Sequence, residues 1–222
     1  MNLDIYVGVI QFIVLLLSLS VHESAHAWTA DALGDPTARY LGRVSLNPLV
    51  HADPIGTILF PLIGLFSGLM FGWAKPVPVN VSRLRNPKRD HMLVAAAGPV
   101  SNVLMAAGLF TCLMIMKAVS PEGAGVLRRV SLYEFSGNAI LVPLTAVAYH
   151  GIIINLVLAV FNLIPVAPLD GAAVLSGLLP RSLAGAFDQL QSYGFMLLLA
   201  LLFLGVPAML YAPVIDFVLS YL

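Results

Sequence analysis

The chain has 222 residues, of which 59% are hydrophobic and only 10% charged, with a mean hydropathy of +0.94. A soluble domain carries about 25% charged residues, so this composition cannot cover a water-facing surface, and it excludes a soluble globular fold and a disordered chain. Eleven basic residues balance eleven acidic ones, which leaves no net field to attract nucleic acid. Cys112 is the only cysteine, so no intrachain disulfide can form, and its apolar surroundings suit plain packing.

Four long stretches, free of Asp, Glu, Lys and Arg except for Glu23 in the first, follow one another: Ile5–Ala30, Met92–Met116, Phe135–Leu169 and Gln189–Ile215. Each exceeds the roughly 20 residues a helix needs to cross the hydrocarbon. The first lacks a basic start and a small-residue cleavage site, and reads as a retained helix rather than a signal peptide. The last contains Gly205 and Pro207, which predict a kink or a break into two pieces.

A fifth apolar stretch, Pro54–Gly72, is interrupted by Gly56, Pro61, Gly64 and Gly68. Arg39 and Arg43 precede it; Lys75, Arg83, Arg85, Lys88 and Arg89 follow it. Basic loops favour the cytoplasm, so the flanks are expected on one side and the stretch is expected to re-enter. Re-entry requires a backbone buried in protein or lining a cavity. The N-terminus is then outside, the first helix runs inward, the second outward, the third inward and the last outward. Between the spans, Ala38–Asn47 alternates weakly and suggests a short strand pair. Trp73–Asn80 holds two prolines and reads as extended. The fold class expected is an all-α polytopic membrane protein, a single domain over 1–222, with four to six transmembrane helices, one re-entrant segment and a short β-like loop.

Within the first helix stands His22-Glu23-Ser24-Ala25-His26. Histidines at i and i+4 share a helix face and can grip one metal ion, and the adjacent Glu23 can take a proton from bound water. Ionisable groups at membrane depth cost several kcal/mol, so three within five positions need a compensating partner, which a divalent metal provides. The end of the apolar run puts the site roughly 8–14 Å below the membrane boundary at 1.5 Å per residue.

A catalytic zinc site usually takes three protein ligands and keeps one position for water. His51 and His91 lie in expected polar loops, as ordinary solvated histidines. His150, mid-span in the third helix, reads as a proton relay or, preferably, as a packing histidine. Asp170 closes Asn162-Leu-Ile-Pro-Val-Ala-Pro-Leu-Asp170-Gly171. Two roles fit it equally: the third ligand, or the N-cap of a helix over 171–179.

HExxH in a membrane helix, followed by NLIPVAPLDG, resembles the site-2 protease family of intramembrane zinc metalloproteases. Gly98-Pro99-Val100-Ser101-Asn102 also matches, and Phe71–Asn80 is similar to compact prokaryotic members. The family's PDZ and CBS modules have no counterpart in this sequence. The resemblance implies that His22, His26 and Asp170 bind one Zn²⁺ and that Glu23 is the catalytic base. It implies substrate contacts for Asn162 and Asn102, and hydrolysis of peptide bonds in or near transmembrane segments of membrane proteins. The implied partners are a substrate with a transmembrane helix and the lipid bilayer, with no nucleic acid; the oligomeric state is unknown. The implied location is the cell membrane, multi-pass, with the active site toward the cytoplasm. An exposed edge within 38–47 or Pro76–Asn80 is expected to hold an unwound substrate strand by β-augmentation.

Two other classes fit less well. A metal channel needs polar residues along the membrane thickness, and the other helices supply few, His150, Asn155 and Asn162 on the third and Asn102 on the second. A non-catalytic client-binding protein has no need of Glu23.

Overall fold

A computed structural model describes residues 3–67 and 72–222. Its frame is three long apolar helices: α1 (Leu3–Ala32), and, further along the chain, α5 (Pro87–Val119) and α7 (Leu141–Asn162). All three are long and apolar enough to cross a membrane, and each packs against the other two. They correspond to the first three long stretches in the sequence.

The link from α1 to α5 holds two single-turn helices, α2 (Thr37–Tyr40) and α3 (Pro48–His51). A π-helical turn, Pro54–Leu59, then leads into α4 (Phe60–Ser67). The strand pair expected over 38–47 does not form: Thr37–Tyr40 is helical and the rest is turn, bend and irregular chain. The cause is Asp35. Its fully buried carboxylate accepts hydrogen bonds from the backbone N–H and hydroxyl of Thr37, at 3.1 and 2.5 Å. These bonds start a helical turn. Asp35 also accepts from the Asn80 N–H at 2.6 Å. Burial pushes its pKa up, but these bonds, with Thr37 first, hold it below the usual value.

The re-entrant reading rests on how the two ends of the apolar stretch meet. The Trp73 N–H donates to the Gly56 carbonyl at 3.1 Å, and the Thr57 hydroxyl donates to the Trp73 carbonyl at 2.7 Å. Further out, the Lys75 N–H donates to the His51 carbonyl at 2.9 Å. The Arg85 N–H reaches the Leu33 carbonyl at 3.2 Å, which ties the approach to α5 to the end of α1. Gly68, Met70 and Phe71 of the expected hairpin lie outside the described residues.

After α5 comes α6 (Pro121–Ser131), an amphipathic helix that hydropathy did not mark. Its start is encoded locally: the Ser120 hydroxyl accepts from the Gly123 N–H, and Pro121 occupies the first turn. Val126, Leu127 and Val130 on one face are buried with Ile10, Val14, Leu113, Ala146 and Ile152 of the long helices. In lipid, tails compete equally for apolar surface, so close packing and interhelical hydrogen bonds hold such a bundle, the latter at roughly 0.6–2 kcal/mol each.

Past α7, α8 (Asp170–Leu178) packs on α5, and α9 (Arg181–Gln191) leads to α10 (Gly194–Phe203) and α11 (Val206–Leu219). The break expected at Gly205–Pro207 falls between α10 and α11, with Gly205 at φ +71°. The axes of α9 and α10 differ by 69°. Counting such a bent pair as one crossing gives up to four candidate spans, the lower end of the range expected. Large apolar side chains stand exposed on the outer surface, Leu104, Phe195, Met196 and Phe203 among them. This is a multi-pass membrane protein.

The same-side closure predicts a labelling pattern. Leu49 and Arg89 are both exposed, on opposite sides of Pro54–Gly72 in the chain. Single cysteines there, in a Cys112→Ser background, should react with an impermeant thiol reagent from the same face of a sealed vesicle. Reaction from opposite faces would show that Pro54–Gly72 spans.

Candidate metal centre

His22 and His26 lie one turn apart on α1, both buried. Their Nε2 atoms are 3.0 Å apart. Asp170, the first residue of α8, brings its Oδ2 to 3.1 Å from His22 Nε2 and 3.3 Å from His26 Nε2. Of the two roles that fit Asp170, the N-cap is not the one observed: Leu169 holds that position. Among the described residues, this trio is the one group of histidine, cysteine and acidic side chains with converging ligand atoms.

The outer nitrogens explain why the inner ones face each other. His26 Nδ1 lies 2.7 Å from the Val94 carbonyl, which can only accept, so Nδ1 carries a proton and the neutral ring has its lone pair on Nε2. His22 Nδ1 lies 2.6 Å from Asn102 Oδ1, and with the amide oxygen turned to the ring it too carries a proton. Asp170, whose side chain is ordinarily a carboxylate at neutral pH, faces both rings. Its Oδ2 is buried and makes no hydrogen bond. Two lone pairs and an anionic oxygen thus crowd one point, which is unfavourable without a cation between them.

A zinc ion fits this point. Bonds of about 2.0–2.1 Å in tetrahedral geometry set ligand atoms roughly 3.3 Å apart, close to the three separations observed. Space is provided by Gly98 on α5. A Cβ there would lie 2.4 Å from His26 Nε2 and 2.5 Å from His22 Nε2. Gly171 has the matching function behind Asp170, since a Cβ would lie 2.3 Å from the Leu163 carbonyl oxygen. The loop before Asp170 is clamped from α9, where Gln191 Oε1 accepts from the Ala167 N–H at 2.6 Å.

Glu23 faces another part of the chain. Its Oε2 accepts from the Val77 N–H at 2.9 Å, so the extended Trp73–Asn80 segment holds the carboxylate beside the histidine pair. Trp73, Lys75 and Val77 turn their N–H groups inward. The alternate positions of an extended segment face the other way, and two of these are Pro76 and Pro78, which have no N–H. The Pro76–Asn80 edge is therefore poor at accepting an added strand through backbone donors, contrary to the sequence expectation.

The remaining candidates disperse. Asn102 is fully buried, its oxygen on His22 and its nitrogen on Asn155 at 2.7 Å, so its partner here is a histidine rather than a substrate. Asn162, at the end of α7, donates to the Leu158 carbonyl at 2.9 Å. His51 is buried, not solvated: its Nε2 lies 2.7 Å from the Ser45 carbonyl and 3.3 Å from Ser24 Oγ. His91 lies within the first turns of α5, half-buried. His150 is packed among buried apolar side chains, with Gln11 Nε2 3.5 Å from its Nδ1. Asn155 and the Val94 carbonyl are supporting groups that the sequence reading did not assign. Asn155 was visible as a polar residue in an apolar helix; a backbone carbonyl leaves no trace in a sequence.

The close contact at Gly98 gives a direct test. Gly98→Ala favours helix formation, so the protein should fold, yet the methyl group fills the position between the ligand atoms. Elemental analysis of the purified variant should show zinc falling from about one per chain to near zero. Full occupancy would mean that the histidines do not point at Gly98.

A profile of peptidase family M50 matches residues 10–205. YwhC of Bacillus subtilis is 40% identical over 189 residues, covering 85% of this chain and 78% of that protein. Rip2 of Mycolicibacterium smegmatis is 28% identical over 200 residues, covering 89% and 68%. Rip2 of Mycobacterium tuberculosis is 25% identical over 202 residues, covering 88% and 68%. The names of all three contain the words zinc metalloprotease. No solved structure matches the chain. With a family profile over most of its length and a buried trio of ligand atoms at zinc spacing, the chain belongs to peptidase family M50, the site-2 proteases, and is a zinc metalloprotease.

Proposed function

We propose that this protein is an intramembrane endopeptidase that cuts membrane-protein substrates within or near a transmembrane segment. The observation that carries the reading is the position of the trio. Its two histidines lie on a helix of membrane-spanning length, ten and six residues before its end at Ala32, about 9–15 Å along the axis. A substrate bond must come to that depth to be cut.

In this reading His22, His26 and Asp170 hold the zinc. When bound, zinc supplies an acidified water and a Lewis acid for the scissile carbonyl. Glu23 accepts the proton of the attacking water on its carboxylate and returns it to the leaving amine nitrogen. The Val77 N–H limits the rotation of that carboxylate. Asn162 contacts the substrate backbone. A groove of about 340 Å³, lined by Val21, Ser24, Ala25, Trp28, Val44 and Leu46, runs along the motif helix. Its apolar lining suits a peptide that leaves the bilayer. The protein lies in the cell membrane as a single domain over 1–222. The basic residues around Pro54–Gly72 set the site toward the cytoplasm.

Glu23→Gln tests the base. The amide oxygen can still accept from Val77, and no ligand is removed, so the variant should fold and keep its zinc. Cleavage of co-expressed membrane peptides should fall by about 10²–10⁴-fold, the range of general-base catalysis. Cleavage at the wild-type rate would remove Glu23 from the mechanism.

His22→Ala with His26→Ala tests the ligand set. The double variant should contain essentially no zinc by metal analysis and should cleave none of the same peptides. Wild-type zinc content in that protein would place the metal elsewhere.

A further inference from the structure

The Asn102 carboxamide could support either tautomer of His22. With its oxygen toward the ring, Nδ1 carries the proton and Nε2 keeps its lone pair. With its NH₂ toward the ring, Nδ1 must accept, the proton moves to Nε2, and the atom facing His26 and Asp170 can no longer bind a metal. What chooses between them lies on α7.

Asn155 is fully buried. One of its amide atoms is 2.8 Å from the carbonyl oxygen of Gly151. That oxygen can only accept, so the amide atom must be the nitrogen. The same nitrogen lies 2.9 Å from Ser18 Oγ on α1. The Asn155 oxygen is therefore turned to Asn102, 2.7 Å away. An amide oxygen can only accept, so Asn102 must present its NH₂ to Asn155 and its oxygen to His22. Each orientation follows from the one before it, and the series ends on a backbone carbonyl that cannot change role.

We propose that Asn155 is a positioning residue of the zinc site. Anchored on Gly151, it fixes the amide of Asn102 and so holds His22 with its proton on Nδ1 and its Nε2 open to the metal. The inference rests on His22 being a zinc ligand. It differs from plain interhelical packing in what it requires. Packing depends on the size of residue 155, whereas orientation depends on an acceptor facing Asn102 and a donor facing Gly151. Leucine keeps the size and removes both polar functions. A protonated aspartic acid keeps both: one oxygen accepts from Asn102, and the hydroxyl donates to Gly151.

The experiment uses the full chain in detergent micelles at one neutral pH. Histidines carry ¹⁵N, and the His22 signals are identified by their loss in His22→Ala. Nitrogen–proton correlations on the metal-free protein report the tautomer, and Co²⁺ titration reports metal affinity. Wild type should show His22 with its proton on Nδ1. Asn155→Leu should lose that single form and bind Co²⁺ about 10–100-fold more weakly, the usual effect of removing an outer-shell partner. Asn155→Asp should stay close to wild type in both readouts. A wild-type His22 protonated on Nε2 overturns the proposal, and this result needs no variant to fold. So does an Asn155→Leu protein with wild-type tautomer and affinity, or an Asn155→Asp protein as impaired as Asn155→Leu. Failure of the wild type itself to bind Co²⁺ would instead overturn the ligand assignment of His22.

Discussion

The site depends on one unfavourable encounter. Two imidazole lone pairs and a carboxylate oxygen are held about 3 Å apart where little water can reach them. Left alone, such groups repel, and each would turn toward any available donor. Much of the surrounding structure prevents that turning. The Val94 carbonyl and Asn102 hold the two rings from behind. The carbonyls of Leu163 and Ile164, packed on Gly171, hold Asp170 from its own side. The protein thus concentrates negative potential at one point, and a divalent cation relieves it.

Seen from that point, the Gly98–Asn102 motif has two separate duties on one face of α5. Gly98 and Asn102 are four residues apart and so share a helix face. The first lets the helix come within contact of both rings, and the second reaches past them to the back of His22. A larger residue at 98 would keep the helix away, and Asn102 would then miss its ring. Pro99, between them, costs a backbone donor in the helix interior, while the Ser101 hydroxyl donates to the Gly98 carbonyl at 2.6 Å.

The long helices, the break at Gly205 and the histidine pair were legible in the sequence because each leaves a local mark: an apolar run, a Gly and Pro pair, or two histidines at helical spacing. Asp170 needed the fold to choose between two roles, since an aspartate before a helix reads as a cap whether or not it faces a metal. The strand pair over 38–47 failed because a weak alternation was outweighed by one buried carboxylate, Asp35, whose hydrogen bonds to Thr37 begin a turn. His51 looked solvated because its neighbours in the chain are polar. Its burial comes from Ser24 and Ser45, which only the folded chain brings near. Helices α6 and α9 carry charges and escape a hydropathy reading; the Ser120–Pro121 start of α6 was the available signal.

The extended Trp73–Asn80 segment has a further consequence. It is tied to Gly56, His51, Glu23 and Asp35 by successive backbone N–H groups, at Trp73, Lys75, Val77 and Asn80. Pro76 and Pro78 stand on either side of Val77. If the segment slipped by one residue in either direction, a proline nitrogen would come to face the Glu23 carboxylate, and a proline has nothing to donate. Only one alignment satisfies the acid. The two prolines therefore act as stops on a ruler: they set the Glu23 carboxylate's partner by making its nearest neighbours mute.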